Sequence, residues 1–525
     1  MVQVGFLSIV TEFVGAVALG ARVTSTIKNG IISIDRFEGR PGVLILAMTC
    51  AEVASATWLM IATRLGLPVS TTQTIIGALI GVGFAAQSPI KWTWASGSVS
   101  QVAASWAIAP LISGAMSALI FATIKYSVLE RANPLKWAMR FIPFYLAFTA
   151  AMLALFMVVE APTAPSLEEF GVGKACGIIL GVFFGMLLIA YVFFMPYFHR
   201  RLIKGDARLR CWHIPLGPML RKEDPWLYFP GKADGDVVID YYESAHQESD
   251  PKTAVLQPDA DKSLDKSTQQ TAAGKKDSDS LPIDVEESRL PPKSKKFMTP
   301  QERFLAPTAD LPLFHPQRLW SWTKFIVLQG VTRDCVSHSS ERLAKTHKLA
   351  VHYDNKVEHL WTYPQVASAM LMSIAHGSND VANAVGPLSA AYSTYQAGIV
   401  STKAPTPVWM HIIAGLLLGL GFWVFGYHII RSLGNKITQL SPTRGFSMEL
   451  GAAITVLLAS RLGLPVSTTQ CLTGATVGVA LMNYSLGAVN WRQVLVIFCG
   501  WVITLPIAGL MSGILMVMAL NAPHF

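Results

Sequence analysis

Long apolar runs alternate with short polar breaks along this chain, and the run lengths predict helices that cross a bilayer. About 20 apolar residues suffice to span the hydrocarbon core. Residues 4–27 form the first run, closed by Lys28, and runs at 99–124, 142–159, 174–195 and 406–430 follow. The last run, 491–520, is long enough for one tilted helix or one broken at Pro506. Two pairs, 42–63 with 68–86 and 447–461 with 465–483, are each split by Gly-Leu-Pro. Each half could be a full span, but a re-entrant hairpin turning near mid-depth is the favoured expectation. Broken backbone is tolerated there when it lines a cavity. Residues 363–391 are apolar but interrupted by His376-Gly377-Ser378-Asn379-Asp380.

One stretch departs from the pattern. Residues 199–361 are a long polar insert, so the chain divides into membrane halves at 1–198 and 362–525. From Glu243 to Lys296 the insert is rich in Asp, Ser, Lys, Gln and Pro. That composition cannot bury a core and predicts disorder. Its edges, with Trp212, Trp226, Tyr228 and Phe229, and later Trp320, Trp322 and Trp361 among basic residues, predict contact with the membrane surface.

Composition supports the membrane reading. Of 525 residues, 52% are hydrophobic and 14% charged, too apolar for a soluble chain of this size. The net charge of +9 lies largely beside the apolar runs. Lys125, Arg131, Lys136 and Arg140, and then Arg200, Arg201, Lys204, Arg208 and Arg210, place both segments and the insert in the cytoplasm. The connection between them carries Glu160, Glu168 and Glu169. The 28–41 loop is too balanced in charge to be assigned a side. Nothing here suggests nucleic-acid binding. The six cysteines are scattered and predict no disulfide or metal framework. No Walker loop, nucleophile elbow or H-E-x-x-H helix occurs, so an enzyme is not expected.

Candidate chemistry begins with a repeat. Residues 64–73 and 461–470 carry the same ten letters, Arg-Leu-Gly-Leu-Pro-Val-Ser-Thr-Thr-Gln, and Glu52 and Glu449 each sit twelve residues before the shared arginine. Internal repeats of this kind build many secondary transporters. After the Gly-Leu-Pro break, Ser70, Thr71 and Thr72, or Ser467, Thr468 and Thr469, fall at the start of a helix. Free backbone N–H groups and the positive end of the helix dipole make that start an anion site, and three hydroxyls add donors. Ser and Thr also bond their own helix carbonyls in membranes. An identical decapeptide in two places favours the anion reading.

The second constellation runs from His376 to Pro387. Asn379 and Asn383, four apart, share a helix face with Asp380 beside them. A carboxylate at depth costs several kcal/mol by most estimates unless it meets a cation or proton. Asn carbonyls and a carboxylate are hard oxygen ligands, suited to Na⁺. His376 fits a proton relay or a packing hydrogen bond. Glu12, Glu52 and Glu449 are further intramembrane acids with cation-related or gating roles, or carboxylates snorkelling to the interface.

These residues carry a resemblance. The stretch from His376 to Pro387 resembles the signature of the inorganic phosphate transporter family, the sodium–phosphate symporters. Both Gly-Leu-Pro-Val-Ser-Thr-Thr-Gln stretches, and Glu12 with the Gly20–Lys28 stretch, are similar to that family too. The resemblance implies an all-α polytopic membrane protein with two inverted-topology repeats, each with a re-entrant helical hairpin. It implies phosphate held by Ser70, Thr71, Thr72, Ser467, Thr468 and Thr469 with Asn379 and Asp380 at the centre. Gln73 and Gln470 would support the tips, and cations would bind at Asp380, Asn383, Glu52, Glu449 and Glu12. The family signature occurs twice, and here it occurs once. The position matching Asp380 in the first half falls before Met1, so either the start is incomplete or the protein is shortened and half the cation site is gone.

The expected activity is cation-coupled phosphate symport by alternating access, driven by Na⁺ or H⁺, in the plasma membrane. Phosphate, sodium ions and lipid are the expected partners; a homodimer is left open, and no cofactor is expected. The alternative is a transport-inactive phosphate receptor signalling through the insert.

Overall fold

Local rules account for most of the helices in this computed structural model, which describes residues 2–95, 97–160, 171–222, 237–242, 298–312, 314–333, 341–401 and 404–522. The disorder expected over 243–296 lies outside the described residues, as do Glu168, Glu169, Trp226, Tyr228 and Phe229. The first half comprises α1 (Val2–Leu19), α2 (Ala21–Asn29), α3 (Pro41–Arg64), α4 (Thr71–Ala85), α5 (Val99–Ile124), α6 (Pro134–Glu160) and α7 (Val172–Ile189). After the insert helices α8 (Pro316–Leu328) and α9 (Glu341–Lys348) come α10 (Asn355–Ala397), α11 (Val408–Ile437), α12 (Pro442–Arg461), α13 (Thr468–Leu481) and α14 (Trp491–Leu520). Among the described residues there is no strand, only an isolated bridge between Ile32 and Ile90. Among the described residues, seven helices are long and apolar enough to cross a membrane. The protein is an all-helical membrane protein.

Three expectations need correction. The 4–27 run is two helices, interrupted at Gly20, where the chain also turns polar. The helix carrying His376–Pro387 begins at Asn355, inside the predicted insert. Trp361 therefore lies within α10, fully buried and 5.8 Å from the Tyr145 ring, rather than on a membrane surface. Run 491–520 takes the first of the two forms expected for it, one helix that continues through Pro506.

Backbone-to-backbone crossings at small residues set the packing. A Cβ at Gly377 would fall on the Glu12 carbonyl, and one at Gly15 on the Ile374 carbonyl, so α1 and α10 meet there. The same logic joins the halves. In α4, Gly77 and Gly81 abut Leu505 and Gly509 of α14; in α13, their counterparts Gly474 and Gly478 abut Pro110 and Gly114 of α5. Each broken pair thus packs on the helix that follows the other pair. Small residues permit such close approach where no hydrophobic force between helices is available.

Candidate functional site

Both breaks are built the same way. Gly66 has φ +69° and Gly463 φ +67°, the left-handed region that a residue with a Cβ enters at a cost. The chain then passes through Leu-Pro-Val without regular structure and is extended at Ser70 and Ser467. The next helix starts at Thr71 or Thr468, three residues later than the proline suggested, because Ser70 and Ser467 are the caps. The Ser70 hydroxyl accepts from the Gln73 N–H at 3.2 Å, and Ser467 accepts from the Gln470 N–H at 3.3 Å. Capping leaves Thr71, Thr72, Thr468 and Thr469 in the first turn of each helix, beside the positive end of its dipole.

The two starts face each other. The Thr72 hydroxyl donates to the Val466 carbonyl of the opposite break at 3.1 Å. Between them stands Asp380, 6% exposed on α10. Its Oδ2 accepts from the Thr71 hydroxyl at 3.1 Å and the Thr468 hydroxyl at 3.0 Å. One carboxylate oxygen therefore gathers equivalent residues from both copies of the repeat. Asn379 Nδ2 donates to Asp380 Oδ1 at 2.9 Å and to the Val466 carbonyl at 2.7 Å. Asn383 Nδ2 donates to the hydroxyls of Thr71 and Thr72, both at 3.2 Å.

The acid is also tied to α1. His376 lies one helical turn before Asp380, with Nε2 2.9 Å from Asp380 Oδ2 and Nδ1 2.9 Å from Glu12. A neutral imidazole donates from one nitrogen only; donation from both requires the imidazolium. Ser373 donates to Glu12 Oε1 at 3.1 Å and receives the Thr11 hydroxyl at 2.6 Å. Sequence reasoning left His376 ambiguous and missed Ser373, Thr11 and the Val466 carbonyl. The spacing of His376 and Asp380, one turn apart, was the available signal.

Other predicted residues sit elsewhere. Glu449 accepts from Ser368 at 2.8 Å. Ser368 is twelve residues before Asp380, about 18 Å along the axis at ~1.5 Å per residue. Glu449 lines a cavity of about 150 Å³ with Gln365, Thr473 and Thr476. Glu52 is half-buried on α3, and its Oε1 has no partner among the described residues. Thr469 is half-buried, and its carbonyl accepts from Thr473. Among the described residues, Asn379 Oδ1, Asn383 Oδ1, Gln73 Oε1 and Gln470 Oε1 are buried acceptors without a partner. Unpaired buried acceptors are costly, so these four oxygens suit a hydrogen-bond donor or a cation.

Fold and site define a class: a polytopic helical membrane protein in which two broken helices face each other across a buried acid. A sequence profile of the phosphate transporter family matches residues 1–512, and the chain belongs to that family. It is similar to the phosphate-repressible phosphate permease pho-4 of Neurospora crassa, 38% identical with 100% of this chain and 92% of that one covered. It also resembles sodium-dependent phosphate transporter 1 of Homo sapiens, 26% identical over 98% of this chain and 90% of the human one. A solved structure titled the sodium-dependent phosphate transporter shares the fold, with TM-score 0.62, 22% identity and coverage of 99% and 90%. The family is one of transporters, not enzymes.

Proposed function

We propose that this chain moves inorganic phosphate across a membrane together with a cation, by alternating access. The observation that carries the reading is the meeting of Thr71 and Thr468 on one oxygen of Asp380. Each tip offers N-terminal amides and hydroxyls, and Asp380 occupies the point where their donors converge. Phosphate binds there by taking over the donors of Ser70, Thr71, Thr72, Ser467, Thr468 and Thr469, with Asn379 and Asp380 at the centre. At neutral pH phosphate keeps a proton and can donate it to Asp380. Sulfate cannot, and its approach leaves two acceptors facing each other.

Cations reduce the cost of burying that charge. The unpaired oxygens of Asn379 and Asn383 beside Asp380 are hard ligands that suit Na⁺. Sodium in the names of several relatives favours Na⁺ over H⁺ as the driver. Glu12, Glu52 and Glu449 complete the proposed cation set, and Gln73 and Gln470 support the tips. In this reading the hairpins are re-entrant, the repeats 1–198 and 362–525 are inverted, and the 199–361 insert faces the cytoplasm of a plasma-membrane protein. The basic residues at 125–140 and 199–210 support that orientation.

Phosphate uptake by the purified full chain in proteoliposomes tests this. Uptake should follow an inward Na⁺ gradient, resist competing sulfate and vanish in Asp380→Asn. Sodium-dependent uptake retained by that variant would remove Asp380 from the mechanism. Phosphate binding without flux would instead favour a receptor, which the transporter and permease names of the relatives do not support.

A further inference from the structure

Far from Asp380, six residues of the insert are seated on the second half, held there by Asp240, Tyr241 and Tyr242, while Ile239 stays exposed. Residues 237–242 read Val-Val-Ile-Asp-Tyr-Tyr. Asp240 Oδ1 accepts from Asn355 Nδ2 at 3.0 Å, and Asn355 Oδ1 accepts from the Tyr241 N–H at 3.2 Å. The Tyr241 hydroxyl reaches His359 Nδ1 and Thr362 Oγ1, both at 3.1 Å, and Gln439 Nε2 donates to the Tyr241 carbonyl at 3.3 Å. Tyr242 is 1% exposed and stacks on His352 with ring centres 4.5 Å apart. Its hydroxyl donates to Glu358 Oε1 at 2.9 Å.

Glu358 is the key to the arrangement. It is fully buried in the opening turn of α10. Its Oε2 accepts from the Thr443 N–H and its Oε1 from the Thr443 hydroxyl, each at 2.9 Å. Thr443 is in the first turn of α12, whose own Ser441 makes no side-chain cap. A carboxylate from α10 thus caps α12, where the dipole favours it. Tyr242 supplies that carboxylate with a further donor. The strapped helices matter because α10 carries Asp380, while α12 leads to the tip bearing Thr468.

We propose that residues 237–242 form a strap that docks in cis in a groove recognising an Asp-Tyr-Tyr sequence and locks the opening turns of α10 and α12 together. While Tyr242 is seated, the two helices cannot part at this end. Its departure leaves buried Glu358 short of a donor and loosens the start of α12. Under the transport reading above, on which this consequence rests, the strap restrains the conformational cycle. The insert therefore sets the transport rate through a sequence of its own.

Hydrogen–deuterium exchange of the purified full chain reads the docking, and proteoliposome uptake reads its consequence. Tyr242→Phe keeps the ring and removes the donor to Glu358. Exchange over residues 441–446 should rise roughly 10- to 100-fold, the equivalent of one hydrogen bond to a buried charge, with exchange over 467–475 unchanged. The initial uptake rate should rise with it. Tyr241→Phe, which spares Glu358, should give a smaller rise of the same sign, and exposed Tyr395→Phe should match wild type. Unchanged exchange in both strap variants would overturn the docking. Raised exchange with flat or reduced uptake would overturn the restraint. If wild type itself carried no phosphate, the transport reading would fail while exchange still decided the strap.

Discussion

Asp380 meets three of its partners through one atom. Its Oδ2 faces Thr71, Thr468 and His376. A hydrogen bond to a charged group contributes about 1.5–3 kcal/mol, so Thr71→Val and Thr468→Val should each raise the phosphate KM roughly tenfold or more. Initial-rate uptake measures this, and because the threonines hold equivalent positions the two effects should match. A second residue-scale outcome lies outside the candidate membrane spans. Hydrogen bonds from Arg208 above all, with Arg200 beside it, hold the Asp206 carboxyl at about 2 instead of 3.8. The folded-state value is depressed, so the stabilisation is complete above the ordinary value and is lost as pH falls through about 2. Exchange over residues 204–209 should be flat from neutral pH to just above 4, after correction for intrinsic rates, and rise faster below it than in Asp206→Asn.

The helix breaks are set by a few backbone positions. Gly66 and Gly463 hold positive φ, and a Cβ there costs ~1–2 kcal/mol. Gly66→Ala and Gly463→Ala should each lower the thermal midpoint of the detergent-solubilised protein by a few degrees, with similar size. The first-turn hydroxyls would lose alignment, so uptake should fall further than stability alone explains. Gly377 bears a different constraint, since its Cα faces the Glu12 carbonyl across the α1–α10 crossing. Gly377→Leu should push the helices apart, break the His376–Glu12 contact and reduce the monodisperse yield in size-exclusion chromatography.

Across the whole molecule the halves are exchanged. Gly81 meets Gly509, and Gly478 meets Gly114, so each broken pair leans on the other half. Gly81→Val and Gly478→Val should therefore cost similar yields of folded protein, whereas unrelated halves would give unequal losses. The arrangement also places two apolar grooves in matching positions. One, about 820 Å³, lies by Gly474, Gly478 and Pro110; the other, about 930 Å³, lies by Gly77, Gly81 and Pro506.

Much of this was legible in order along the chain. Apolar length located α3, α5, α12 and α14, the Gly-Leu-Pro triplets located both breaks, and the identical decapeptides marked those breaks as alike in build. These features depend on local hydrogen bonding and on the thickness of a bilayer, which a linear sequence encodes directly. Helix edges were less legible: α4 and α13 start at the threonines because Ser70 and Ser467 cap them, and α10 starts early enough to bury Trp361. Tertiary structure alone decided which acid the hydroxyls meet. Asp380 receives Thr71 from 309 residues away, while Glu449 turns to Ser368, and Tyr242 reaches across 116 residues to Glu358. Such meetings depend on where helices cross, and the crossings are fixed by close approach at glycines whose partners no local pattern names.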